Sequence, residues 1–174
     1  MKTQKKYLPE FVYGAIDGII TTFAVVTGAL GASLSSAIIL ILGFANLFAD
    51  GFSMAISNYL STKSEKELVK KHKHEHEHEK NPRKTALATF IAFVLIGFIP
   101  LLSFVLAIFI PQIDENKFLY SIILTGLAFI VVGTIKGEIT GNSKIKSAIE
   151  TIIIGGIAAI IAFLVGYLLR QIII

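Results

Sequence analysis

Five long apolar runs constrain this chain more than anything else in it: Phe11–Gly31, Ala37–Leu60, Thr85–Ile110, Phe118–Ile135 and Ile149–Ile173. A helix needs about 20 apolar residues to cross a hydrocarbon layer of about 30 Å, and each run meets or approaches that length. In lipid every backbone N–H and C=O must bond internally, so only helices or closed barrels can span. The runs lack the in–out alternation of barrel strands. The predicted fold is therefore all-α, a polytopic integral membrane protein with five transmembrane helices forming a single membrane domain over residues 1–174. Composition agrees, with 54% hydrophobic and only 16% charged residues, where a soluble domain carries about a quarter charged. That excludes a soluble globular enzyme, and it equally excludes a disordered chain. The chain has no Cys, so disulfides, thiolate metal sites and Cys nucleophiles are excluded too.

Lys and Arg set the expected orientation. With the N-terminus in the cytoplasm and the C-terminus outside or lumenal, fourteen of the sixteen basic residues lie inside, and only Lys117 and Arg170 lie outside. The link Ala32–Ser36 carries no charge, and the outer link Pro111–Lys117 carries Asp114 and Glu115. The first run is long, holds an acid and ends without a small-residue cleavage site, so it reads as a retained span and not a signal peptide. Pro100 falls inside the third run and is expected to kink it, and Pro111 to end it.

Two acids sit deep within the apolar runs, Asp17 and Asp50, while Glu150 lies only at the start of the last. A carboxylate at the centre of a span costs about 2.5–3.5 kcal/mol on insertion scales, so such residues face a bundle interior and mark ion paths. No Lys or Arg lies in the core of any run to neutralise them. Asn46, Asp50, Met54 and Asn58 follow at four-residue steps, with Ser53, Ser57 and Ser61 alongside, which places them along one side of a helix. Counting depth at about 1.5 Å per residue from Pro9 and from Ser61 puts Asp17 level with Met54, and Asp50 level with Thr21 and Thr22. A carboxylate with a thioether suits a borderline divalent cation such as Fe²⁺. Alone, Met54 is a weak signal, because a lone Met in a span is more often packing than a ligand. Gly14 and Gly18, and Gly133, Gly137 and Gly141, recur at four-residue steps. They fit close helix packing within one subunit, and also a seam between two copies.

Asp17-Gly18-Ile19-Ile20-Thr21-Thr22-Phe23-Ala24-Val25-Val26 resembles the first-span signature of the vacuolar iron transporter family. So does Asn46-Leu47-Phe48-Ala49-Asp50-Gly51-Phe52-Ser53-Met54-Ala55, followed by Asn58-Tyr59-Leu60-Ser61. The Gly155-Gly156 segment of the last run is also similar. The resemblance implies a homodimer of five-span subunits that exports Fe²⁺, and often Mn²⁺, from the cytosol in exchange for protons. It implies metal ligands at Asp17 and Met54 and a path along the dimer interface, and the polar line and depth count above add Asp50 as a ligand and Thr21, Thr22, Asn46, Ser53, Ser57 and Asn58 as lining. Many members carry Glu where Asn46 stands, and a Gly-Glu pair where Ser57-Asn58 stands. Two carboxylates are thus missing here, and Asp50 is the acid placed to substitute.

Iron-transporting members often have a sizeable metal-binding insert in the second connection. Here Thr62–Lys84 is short, and it holds His72, His74, His76 and His78 with Glu75, Glu77 and Glu79. Imidazole and carboxylate both ligate Fe²⁺, Mn²⁺, Zn²⁺ or Ni²⁺. In a helix His72/His76 and His74/His78 pair at i, i+4, and in an extended chain all four share a side. A solvated charged loop is the plainer alternative, because the alternation is low in complexity. Glu138 and Glu150, which flank the fourth connection, are expected to be structural.

A divalent-metal exporter by proton antiport is the first functional expectation. The second is a non-transporting membrane scaffold whose His/Glu connection buffers or senses metal. No resident cofactor and no enzyme activity are expected, since no nucleophile–base set or phosphate loop is present. The expected partners are a second copy of the chain, membrane lipid, divalent metal ions and protons. Nucleic acid is not among them, because the basic residues track one membrane face. The expected location is a prokaryotic plasma membrane, or the vacuolar membrane in a eukaryote.

Overall fold

A computed structural model describes residues 6–71 and 80–173. Among the described residues these helices follow in order: α1 (Leu8–Gly31), α2 (Ser36–Lys71), α3 (Pro82–Gly97), α4 (Ile99–Phe109), the short α5 (Pro111–Asp114), α6 (Lys117–Thr140) and α7 (Lys144–Ile173). Among the described residues α1, α2, α6 and α7 are each long and apolar enough to cross a membrane alone. The helices α3 and α4, bent by 48° where they meet, pass the same test only together, and as one broken span they would make a fifth crossing.

The bend falls where the sequence places it. Phe98 separates the two helices, and Pro100 opens α4 in the first-turn position where its missing N–H does no harm. The buried Pro100 carbonyl accepts a 2.6 Å hydrogen bond from Ser121 Oγ of α6. Ile110 is extended and Pro111 starts α5, so the third crossing stops as expected.

Helix α1 occupies the centre, packed on α3, α7, α2 and α6. Glycine makes this possible. A Cβ on Gly18 would lie 2.5 Å from the Phe93 carbonyl oxygen, and one on Gly97 would lie 2.8 Å from the Gly18 carbonyl oxygen. Gly14 meets the Thr89 backbone in the same way. The Gly14/Gly18 stripe is therefore consumed inside the subunit against α3 and is not a seam between copies. Gly133 and Gly137 likewise seat α6 on the Lys144–Ala148 turn of α7. Gly141 serves another purpose, ending α6 in the left-handed conformation at φ +70°.

Val26, Ile39, Leu47, Phe93, Leu101 and Phe104 form the main apolar core between α1, α2, α3 and α4. The outward faces of α2, α6 and α7 stay apolar, with Ile41, Phe52, Ile130 and Ile160 exposed. A surface of that kind suits lipid.

The second helix departs from expectation. It runs to Lys71, about ten residues beyond the apolar run, at about 1.5 Å per residue. Lys63 and Glu67 pair across one of its turns at 3.9 Å. The first part of Thr62–Lys84 is thus a helical extension and not a loop. At the same end Lys144–Glu138 (3.0 Å) and Lys136–Glu150 (2.9 Å) tie α6 to α7. Each acid thus meets a Lys of the neighbouring helix.

Candidate metal path between the first two helices

Helices α1 and α2 are antiparallel neighbours joined by four residues, Ala32–Ser35. One hydrogen bond sets their register: Asn46 Nδ2 donates to Thr21 Oγ1 at 3.4 Å. Thr21 Oγ1 in turn donates to the Asp17 carbonyl oxygen at 2.9 Å. One turn from this pair toward the N-terminal end of α1, Asp50 comes level with Asp17, and the two carboxylates are within electrostatic reach of each other. A turn further on, Met54 is level with Tyr13, and both line one cavity.

The sequence depth count pairs Asp17 with Met54, and Asp50 with Thr21. The observed register differs by one helical turn. The count takes Ser61 as the end of a membrane helix, but α2 continues through that point to Lys71, so charge there marks no helix end. The result joins the two acids to each other and leaves Met54 nearer the end of the groove.

The cavity has a volume of about 410 Å³ and is lined by Pro9, Glu10, Tyr13, Met54, Ser57, Asn58 and Ser61. Asn58 is fixed at its inner wall, where Nδ2 donates to Thr89 Oγ1 of α3 at 2.6 Å. Behind it Thr62 and Thr85 share a buried hydrogen bond of 3.2 Å. Met54 also packs against the main core, so it serves as a core residue and a cavity wall together. Ser53 and Ser57 lie on the exposed side of α2, and Asp17 and Asp50 are half-buried.

Thr22 is a correction. It is fully buried, and its hydroxyl finds no partner among the described residues. Neighbouring residues on a helix are turned by about 100°, so Thr22 points into the subunit when Thr21 points at Asn46. It belongs to the core and does not line the groove. The residue missed from sequence is Glu10. It lies two turns before Asp17 on the same side of α1, and its side chain is only 12% exposed. That seven-residue spacing of two acids was the available signal.

The groove offers carboxylate oxygens, amide and hydroxyl oxygens, and one thioether. Asp17 and Asp50 form no hydrogen bond or ion pair through their carboxylates among the described residues. Nor do three or more His, Asp or Glu side chains converge on one point among them. One subunit therefore presents a pair of acids, which is an incomplete shell for a hard or borderline divalent ion. His72, His74, His76, His78, Glu75, Glu77 and Glu79 lie outside the described residues.

The fold and groove define a multi-span helical membrane protein with an acidic lane between its first two helices. The chain belongs to the VIT family, whose sequence profile matches residues 8–81 and 71–167. It is similar to a protein named vacuolar iron transporter from Centaurea cyanus, at 30% identity over 88% of this chain and 84% of the relative. Vacuolar iron transporter 1 of Arabidopsis thaliana is 28% identical over 92% of this chain and 85% of its own length. A vacuolar iron transporter of Toxoplasma gondii is 26% identical, over 98% of this chain and 77% of its own. That last alignment runs over 232 positions, more than the 174 residues of this chain, so the relative carries segments that are missing here. The two matched pieces meet at residues 71–81, which is the shortened second connection. The family is one of metal transporters in membranes, and iron is the metal in its relatives' names.

Proposed function

We propose that this chain carries Fe²⁺, and Mn²⁺ with it, out of the cytosol by proton antiport through a path at the interface of a homodimer. The observation that carries this reading is the pair Asp17 and Asp50, level with each other and half-buried, whose carboxylates form no hydrogen bond or ion pair among the described residues. Left open to hydrocarbon, such a pair is costly. A second copy related by a two-fold axis would cover it and complete the shell with two more carboxylates and another thioether. Asn46 and Asn58 carry no acid, so proton exchange at this level would fall to Asp17 and Asp50.

The positive-inside bias supports placing the N-terminal end of α1, where most Lys and Arg gather, in the cytosol. The groove then opens to the cytosol through the cavity beside Glu10 and Met54. The His/Glu stretch at 72–79 follows directly on α2 and would collect metal on that side. The relatives' names are consistent with a vacuolar membrane, whose acidic lumen would supply the protons.

The test is metal uptake into liposomes holding purified protein, with an internal pH dye and Fe²⁺, Mn²⁺, Co²⁺, Ni²⁺ and Zn²⁺ supplied in turn. Fe²⁺ and Mn²⁺ should enter and protons should leave. Asp17→Ala should abolish uptake while the protein still elutes as one folded species. Uptake by Asp17→Ala at the wild-type rate would sink the site assignment. Metal movement with no pH change would leave a channel.

A further inference from the structure

The mouth of the groove holds a contact that the metal path does not use. Lys80 Nζ lies 2.6 Å from Glu10 Oε1. Lys80 remains 35% exposed, but Glu10 is only 12% exposed, so the ammonium closes over a carboxylate set into the wall. The second oxygen, Glu10 Oε2, is buried with no partner among the described residues. The next residue pins the segment: Asn81 N–H donates to the Tyr7 hydroxyl at 3.1 Å. Residues 80 and 81 are thus fastened to the start of α1, and the Lys80 charge is held against Glu10, a wall residue of the cavity that also contains Ser57, Asn58, Ser61 and Met54.

A carboxylate this enclosed is poorly placed for a plain surface ion pair. A buried oxygen without a donor is left at a cost, and Lys80 meets only one of the two. A small divalent cation could engage both oxygens at about 2.0–2.6 Å, with hydroxyl and amide oxygens of the cavity wall completing its shell. Glu10 also lies on the lane itself. It precedes Asp17 by seven residues, about 10 Å along α1 and on the same side. An ion leaving Glu10 would pass Met54 and Tyr13 before reaching the level of Asp17 and Asp50. A monovalent ammonium held at such a carboxylate resembles an ion that cannot leave, because it is tethered to the chain.

We propose that Glu10 is a divalent-cation site at the mouth of the groove, and that Lys80 is its tethered competitor, displaced when metal binds. Competition sets a threshold: at low metal the ammonium holds the carboxylate, and a doubly charged ion displaces it as concentration rises. The inference rests on the proposed transport reading for its purpose, but the site can be measured without transport.

The experiment is equilibrium binding of Mn²⁺ to the full-length protein in detergent, followed by the loss of the free-ion paramagnetic resonance signal, with Fe²⁺ uptake into liposomes as a second arm. Lys80→Met should tighten Mn²⁺ binding and lower half-saturating Fe²⁺ by about three- to tenfold, the scale of a partly exposed ion pair removed. Glu10→Gln should shift both in the opposite direction. The double variant should match Glu10→Gln, since a competitor has no effect once its site is gone. Lys80→Arg keeps the charge and should stay close to wild type. A pair that only ties the connection to α1 predicts otherwise: both single variants break the same tie, so both would move affinity the same way or not at all. Either of those results overturns the proposal, as does Lys80→Arg behaving like Lys80→Met. Should Glu10→Gln fail to fold, the contrast between Lys80→Met and Lys80→Arg still decides. Mn²⁺ binding that follows this pattern without any uptake would fail the transport reading and leave the mouth site standing.

Discussion

Gly18→Ala tests the packing that holds the groove in place. The added Cβ would lie 2.5 Å from the Phe93 carbonyl oxygen and 2.9 Å from its Cα, where ordinary contact begins at 3.4 Å. The shortfall of about 0.9 Å falls on backbone atoms of α3, which cannot rotate aside as a side chain would. Helices α1 and α3 must part. Overpacking of this kind costs about 1–3 kcal/mol, and the better helix propensity of Ala offsets about 0.5–1 of it. A net loss of up to about 2.5 kcal/mol lowers the melting temperature of a chain this size by up to about 10 °C. Gly126→Ala and Gly156→Ala are the controls, because a Cβ at either meets nothing within 4 Å. They should be neutral or gain up to about 1 kcal/mol from propensity. The assay is thermal unfolding of purified variants in one detergent, read by tryptic cleavage or by retention of the folded chromatographic peak. Asp17 precedes Gly18, so the shift also moves its carboxylate against Asp50, and uptake should fall with stability. If Gly18→Ala melts with the controls, the α1–α3 contact is looser than these distances require, and the register built on it fails.

Met54→Leu should alter ion preference more than folding: the swap nearly conserves volume and costs less than about 1.5 kcal/mol, but it removes the thioether, so Fe²⁺ uptake should drop relative to Mn²⁺ in a competition assay. An equal drop for all ions would make Met54 a packing residue. Ser53→Cys, on the exposed side of α2, should cross-link two copies in native membranes, and Gly14→Cys, enclosed by α3, should not; the reverse pattern on a gel would refute the proposed dimer face. Replacing His72, His74, His76 and His78 with Ala should raise half-saturating metal and spare the maximal rate. In the wild type, loading at those residues should weaken as pH falls through about 6.5, because protons take the ring nitrogens from the metal. A maximal rate that falls as well would show that the connection gates the path.

The fold was legible because lipid imposes a length and a polarity on each span. Four apolar runs became single long helices, and the third became a helix pair bent by 48° beside Pro100, whose ring cannot continue the helix before it. The glycine spacing was legible as close packing, but its partner was not. Nothing in Gly14 and Gly18 says whether the backbone against them belongs to α3 or to a second copy, since both would fit a small-residue stripe. Only the contacts at Thr89 and Phe93 decide that question.

The site was legible along each helix and illegible between helices, for one physical reason. A four-residue step keeps Asn46, Asp50, Met54 and Asn58 on one side whatever surrounds them. The level at which they face α1 depends instead on where each helix starts and stops. Charged residues are poor guides to those limits, because charge marks the edge of the lipid and not the end of a helix. Glu10 already lies inside α1, and α2 continues as helix past Ser61 to Lys71. Equating the two boundaries accounts for both errors: it displaces the register by one turn, and it leaves Glu10 outside the first span. The stretch between the lipid edge and the helix end is where polar side chains can be rigidly held and still meet water. Glu10 and Ser61 lie at its inner edge, Ser57 and Asn58 within about a turn of it, and Lys80 meets Glu10 there. An ion must exchange its water for protein ligands somewhere on its way to Asp17, and a helical, half-wet zone supplies fixed oxygens for that exchange before the hydrocarbon begins.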